Sequence, residues 1–260
     1  MQHTRLFIGG LALAAVFGTG GAAWAEGPCA DVPPHGALRA ALETARAAAN
    51  GGFNLDMWGT IVNRDGVVCA VAFTGGDRGD QWPGSRVISA QKANTANAFS
   101  LPHLALSTAN LYTAVQPGGS LFGLQFSNPV NTDVAYRGNE RQYGSANDPM
   151  VGGKIGGVNV FGGGLALYNA HGELVGAIGV SGDTSCADHN IAWRTRSILG
   201  LDHVPAGVGP ATQKDNIIFD IAPQAGQMPG VSASGWGHPH CGPGSPSSES
   251  ALAAGLPPTG

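Results

Sequence analysis

The chain has 260 residues, 13 basic and 17 acidic, with a formal net charge of −4, and only 12% of its residues are charged. A weakly charged, mildly acidic chain carries no electrostatic footprint for nucleic acid or for an anionic membrane surface, so neither is expected as a partner. The length fits one domain.

The first residues hold one arginine, Arg5, then an apolar run Leu6–Phe17 and the small-residue motif Ala23-Trp24-Ala25. This pattern predicts a secretory signal peptide over residues 1–25, with an apolar part too short to span a bilayer. The protein is therefore expected to be exported, periplasmic or secreted, without a membrane span. Asp31–Gly36 is a proline-bearing lead-in. Ala37–Asn50 places Leu38, Ala41, Leu42, Ala45 and Ala49 on one helical face, and Asn50-Gly51-Gly52 ends that helix. Met57–Val62 and Val67–Thr74 flank Asn63-Arg64-Asp65-Gly66, a hairpin signal. Gly84–Ser100 reads as a second helix, and Pro102 suits the first turn of a third over Pro102–Val115. Gly118–Gly157, rich in Gly, Asn and Ser, is expected to be an irregular lid-like or interfacial excursion.

Gly164–Asn169 and Leu174–Val180 predict a second hairpin around Ala170-His171-Gly172-Glu173. The second of these strands is almost wholly apolar, as a strand buried on both faces must be. The glycine-containing loop Ser181–Thr184 then opens a helix over Ser185–Leu199, and a short strand is expected at Asn216–Ile221. Beyond Pro223 the composition is Pro, Gly, Ser and Ala, with little to bury, so residues 223–260 are expected to be mostly disordered and residues 26–222 to form the domain. This order of helices and hairpins predicts a single α+β domain with a central antiparallel sheet flanked by helices.

Four cysteines in an exported chain predict two disulfides. Three pairings are possible. Cys29–Cys69 with Cys186–Cys241 is favoured, because each bridge joins an end of the chain to a core element. No Gly-x-Ser-x-Gly elbow, His-Glu-x-x-His or Walker loop occurs, which points to a binding protein more than to an enzyme.

Two ordered blocks carry a family resemblance. The first is Arg78-x-Asp80 followed by Ser89-Ala90-Gln91-Lys92-Ala93-Asn94-Thr95-Ala96. The second is Gly172-Glu173-Leu174-Val175-Gly176-Ala177-Ile178-Gly179-Val180-Ser181-Gly182 with Asp188-x-x-Ile191-Ala192. Over roughly Leu38–Leu199 the chain resembles the GlcG/HbpS-like family, whose characterised members include extracellular haem-binding proteins. The chain departs from that pattern in its long stretch Gly118–Gly157. The resemblance implies haem as cofactor, a homo-oligomer, and a role in haem sensing, storage or scavenging. The alternative it implies is a small organic-acid-binding enzyme or accessory protein of a catabolic pathway. A third reading is an interaction protein that assembles through Gly118–Gly157.

Candidate site residues follow from that resemblance. Imidazole is a common haem-iron ligand. His103, at the expected helix start after Pro102, is the first candidate iron donor. His189, in the first turn of the last helix, is the second; there the helix dipole favours the neutral imidazole. Thr95 and Thr108 are alternative donors. His171 belongs to the hairpin turn, and His238-Pro239-His240-Cys241 resembles a small metal-binding tract. Lys92 and Thr95 share a helical face, where the lysine can hold a propionate or another carboxylate; the alternative is a solvated lysine and a threonine bonded to its own backbone. Arg78 is a second candidate cation, or a surface partner of Asp80. Asp183 is a ligand contact or the helix N-cap, and Asp188 stands at capping-box spacing from Ser185.

Overall fold

Alternating apolar side chains in four strands decide the architecture of the computed structural model, which describes residues 27–260; the expected signal peptide lies outside them. In chain order the elements are helix α1 (His35–Arg46), strands β1 (Trp58–Asn63) and β2 (Val68–Phe73), and helix α2 (Ser85–Phe99). One-turn helices α3 (Leu124–Ser127) and α4 (Thr132–Ala135) precede strands β3 (Gly164–Tyr168) and β4 (Leu174–Ser181). Helix α5 (Ser185–Ile198), strands β5 (Ile221–Gln224) and β6 (Gln227–Ser232), and helix α6 (Pro246–Ala254) follow.

The main sheet is antiparallel in the order β2-β1-β4-β3, with Trp58 opposite Ser181 and Ile61 opposite Ile178 in its central pair. Ile61, Ile178, Val180, Leu165 and Leu167 face α1 and α5, where they bury against Leu38, Leu42, Ile191 and Trp193. Trp58, Val62, Val71 and Ala177 face α2, against Ala90, Ala93 and Ala96. The result is a three-layer α+β domain. Gly179 lets α2 approach closely: a Cβ there would lie 1.9 Å from the Ser89 carbonyl oxygen.

The outer edge of β3 is occupied by the chain itself. The Gly164 N–H donates to the Thr108 hydroxyl (2.9 Å), the Ala166 carbonyl accepts from the Arg196 guanidinium (3.1 Å), and the Tyr168 N–H donates to the Leu201 carbonyl (2.9 Å).

Three expectations are corrected. Pro102–Val115 is not a helix. Leu101 and Leu104 close a tight turn by mutual backbone hydrogen bonds, and only short 3-10 turns at Thr108–Leu111 and Thr113–Val115 follow. A proline suits either structure, and the bond from the Tyr168 hydroxyl to the Leu101 carbonyl (2.7 Å) favours the turn. The excursion 118–157 does not stand clear of the domain. Val134, Ala135, Met150 and Ile155 bury against the α2 side of the core, and Asp148 pairs there with the buried Arg86. The tail is not disordered: β5, β6 and α6 form, the strand begins at Ile221 rather than Asn216, and Ala253, Leu256 and His238 are buried.

Two disulfides, Cys29–Cys69 and Cys186–Cys241, staple the two ends to the domain. Among the described residues no helix is long and apolar enough to cross a membrane.

Candidate functional site

The start of α5 and the middle of α2 meet over the end of β4, and a cleft of about 310 Å³ opens there. Its rim is aromatic: Trp82 and Phe161 line it while remaining 52% and 46% exposed. Its polar lining comes from Lys92, Asp183, Asp188 and the hydroxyls of Ser85, Ser181 and Ser185. An exposed tryptophan and phenylalanine over a lysine-bearing lining make an amphipathic slot, suited to a flat apolar ligand with an anionic edge.

Lys92 is 2% exposed and donates from Nζ to Asp188 (2.8 Å) and to the Val180 carbonyl (3.1 Å). Among the described residues these contacts use two of the three ammonium donors. Asp188 also accepts the Asp183 N–H (2.9 Å). Burial pushes the Asp188 carboxyl up to about 6, against the pull of the Lys92 ammonium and of the Asp183 N–H. Asp188 is thus an ion-pair partner, not part of a capping box. The N-cap is Thr184, whose hydroxyl accepts the Ala187 N–H. Asp183 is not the cap either. Its carboxylate accepts the N–H groups of Phe53 (2.8 Å), Leu55 (3.0 Å) and Thr184 (2.6 Å), locking the loop after α1 onto the cleft wall. Gly52, at φ +68, allows this, because a Cβ there would lie 2.2 Å from the Asp183 carboxylate.

The other expected residues do not converge here. Thr95 is buried, donates to the Gln91 carbonyl (2.8 Å) and accepts the Asn159 N–H (2.9 Å), so its proton and one of its two lone pairs are in use. Thr108 is likewise engaged with the Phe161 carbonyl and the Gly164 N–H. Arg78 lines a neighbouring cavity of about 340 Å³ with Trp58, Tyr136 and Tyr143, on the other side of the α2 start.

His103 is exposed in the Leu101–Leu104 turn, with no helix behind it to aim it. That turn follows the far end of α2, and the rise from Lys92 to Phe99 alone is about 10 Å. The helix start expected to place His103 is therefore absent. His189 is fully buried against the tail rather than facing the cleft. Its Nε2 accepts the Ile217 N–H (3.2 Å) and lies 3.0 Å from the Asn216 side-chain oxygen, and burial pushes it down to about 4. His171 is exposed in the hairpin turn.

The residues missed in the sequence are Trp82, Phe161 and Ser185 of the cleft; His238, read there as part of a small metal-binding tract, lies behind it. His238 is 1% exposed, and burial holds its imidazole down at about 3. Its Nδ1 lies 2.7 Å from the Pro239 carbonyl and its Nε2 3.3 Å from the Ser185 hydroxyl. Single aromatic and serine residues in loops give no periodic signal. A larger cavity, about 540 Å³, lies between the 208–219 loop and α6, but no charged residue lines it.

The lining fits haem in part: Trp82, Ile88 and Phe161 offer apolar contact and Lys92 and the serine hydroxyls suit propionates, beside the carboxylates of Asp183 and Asp188. Among the described lining residues there is no histidine to meet the iron.

A family model described as "Haem degrading protein HbpS-like" matches residues 35–196. No curated protein matches the chain. Solved structures similar to it include these two. The PduOC:heme complex is 22% identical with a TM-score of 0.44 and covers 64% of this chain and 91% of that one. The Klebsiella pneumoniae protein ORFY is 24% identical with a TM-score of 0.43 and covers 64% of this chain and 90% of that one.

Proposed function

The chain belongs to the HbpS-like family, and from that premise we propose that it is an exported haem-binding protein, working as a homo-oligomer in haem sensing, storage or scavenging, and that haem enters the cleft at the start of α5. The single observation that carries the site is the exposed pair Trp82 and Phe161 over Lys92. Trp82 and Phe161 hold the porphyrin faces. The third Lys92 donor and the Ser185 hydroxyl take a propionate, while Asp183 keeps the wall rigid. Apolar burial dominates the affinity. When bound, haem supplies a redox-active iron; the protein supplies the slot and its orientation.

Titration of the purified protein with haemin tests this. A Soret band that saturates near one haem per chain is expected. Trp82→Ala and Phe161→Ala should each raise the Kd about tenfold, the equivalent of about 1.4 kcal/mol of lost burial. His103→Ala and His189→Ala should leave the Soret and visible bands in place. Absence of a saturable Soret shift refutes the reading.

One observation favours a second ligand class. A cleft of about 310 Å³ is at the small end for ligand pockets, and its lysine suits a small organic acid. A thermal-shift screen of hydroxy acids beside haemin separates the two: stabilisation by an acid with no haem response supports the second.

A further inference from the structure

Behind the cleft, one nitrogen and two sulfurs converge. A ring nitrogen of His238, Cys186 Sγ and Cys241 Sγ all lie within 4.8 Å of one another. The sulfurs are joined as a disulfide, and the Cα atoms are 6.0 Å apart. We propose that reduction of Cys186–Cys241 opens a Cys2His site for a thiophilic divalent metal of the zinc type, with His238 as the third ligand.

Four observations support it. The Pro239 carbonyl, 2.7 Å from Nδ1, takes the ring proton, so Nε2 keeps its lone pair for a metal; a histidine ligand needs such a second contact to fix its tautomer. The only hydrogen-bond partner of Nε2 among the described residues is the Ser185 hydroxyl, at 3.3 Å, a weak contact for a ring 1% exposed. The Ser185 hydroxyl is also 3.2 Å from Cys241 Sγ, so it marks the space between two ligand atoms. Lastly, Cys241 Sγ accepts the Cys186 N–H at 3.1 Å in the first turn of α5, where helix amides favour a thiolate.

Two thiolates on tetrahedral zinc stand roughly 3.8 Å apart for Zn–S bonds of about 2.3 Å. Side-chain rotation across the present Cα separation can provide that spacing. Two thiolates and a neutral imidazole also cancel the charge of a divalent ion, which suits a buried position. The fourth coordination position falls to water beside Ser185.

The chemistry balances. A dithiol reductant delivers two electrons and two protons, the S–S bond of Cys186–Cys241 breaks to two thiols, and the reductant closes its own disulfide. The metal then displaces both thiol protons to solvent.

The test is a cobalt titration of the full chain after anaerobic reduction with a phosphine. One Co2+ per chain is expected, with thiolate-to-cobalt charge transfer and the intense d–d bands of a tetrahedral site, and Zn2+ should displace it. The oxidised protein should bind none. His238→Gln should weaken binding at least tenfold, and Cys29→Ser with Cys69→Ser should leave it unchanged. Should that double variant not fold, alkylation of the reduced wild type decides. Bound metal must protect Cys186 and Cys241 while Cys29 and Cys69 react. Absent bands, an unaltered His238→Gln titration, or protection at Cys29 and Cys69 overturns the proposal.

Discussion

The sheet with its helices and the segment 200–260 are held by different physics. In the sheet, large apolar side chains interdigitate from both faces, and the helices come close because Gly179 and the alanines of α2 leave room. In the segment 200–260, polar groups are buried in pairs. Asp215 meets the fully buried Arg196, Gln213 donates to the carbonyls of Ala253, Ala254 and Leu256, and Glu249 accepts the Cys241 N–H. One disulfide fastens the whole. The sheet region also holds buried ion pairs, Arg86–Asp148 and Lys92–Asp188, and the Cys29–Cys69 bridge, but there they add to an apolar core, whereas the segment 200–260 leans on such groups and is more sensitive to pH and reductant.

The largest effect should come from the junction itself. Arg196→Ala removes the partner of Asp215 and leaves a buried carboxylate uncompensated, at a cost of about 3–5 kcal/mol. Denaturant unfolding reads this, and Arg196→Met with Asp215→Leu should recover most of it. Next, Cys186→Ala with Cys241→Ala should cost about 2–4 kcal/mol, with protease cleavage confined to the tail and a sheet that stays folded. If cleavage appears in α1 or the hairpins, the two regions are not separable as argued. Gly179→Ala probes the other side of the comparison. Its Cβ has no room under Ser89, so about 1–3 kcal/mol of overpacking is expected, with tail protection unchanged.

The smallest effect is that of acid. The His189 and His238 imidazoles are held at about 4 and about 3, below the ordinary 6.5, so their contribution is complete above pH 6.5 and is lost as pH falls through those values. Asp188, raised to about 6, works in the opposite sense: its contribution is complete below its ordinary 3.8 and is lost as pH rises through 6. Two groups oppose one, so urea midpoints should fall between pH 7 and pH 4, and His238→Gln should flatten the slope. A midpoint that rises on acidification would give Asp188 the larger share.

The same contrast explains what could be read in the sequence. Both hairpins, α2 and α5 were legible to within a residue or two, because their apolar period and turn residues are local. Lys92 and Asp183 were named from the sequence as candidates and both line the cleft, but their bonds were not legible. Lys92 meets Asp188 from 96 positions away, and Asp183 holds Phe53 from 130. Nor could spacing show that Arg86 would bury with Asp148 or Arg196 with Asp215. The tail was misread for that reason. Its order comes from single polar residues that find carbonyls far along the chain, and composition counts them as solvent-loving. The helix expected at Pro102 was misread because Pro102 fits a turn as well as a helix start.

The occupied edge of β3 bears on how the protein behaves at high concentration. An open edge strand offers unpaired amides to any other chain with a free edge. Here Thr108, Arg196 and Leu201 have taken those positions on β3. Copies of this chain cannot extend one another's sheets on that side, and assembly there must use side-chain surfaces. A variant that loses Arg196 uncovers the Ala166 carbonyl, and its clumping should grow with protein concentration even where its fold survives.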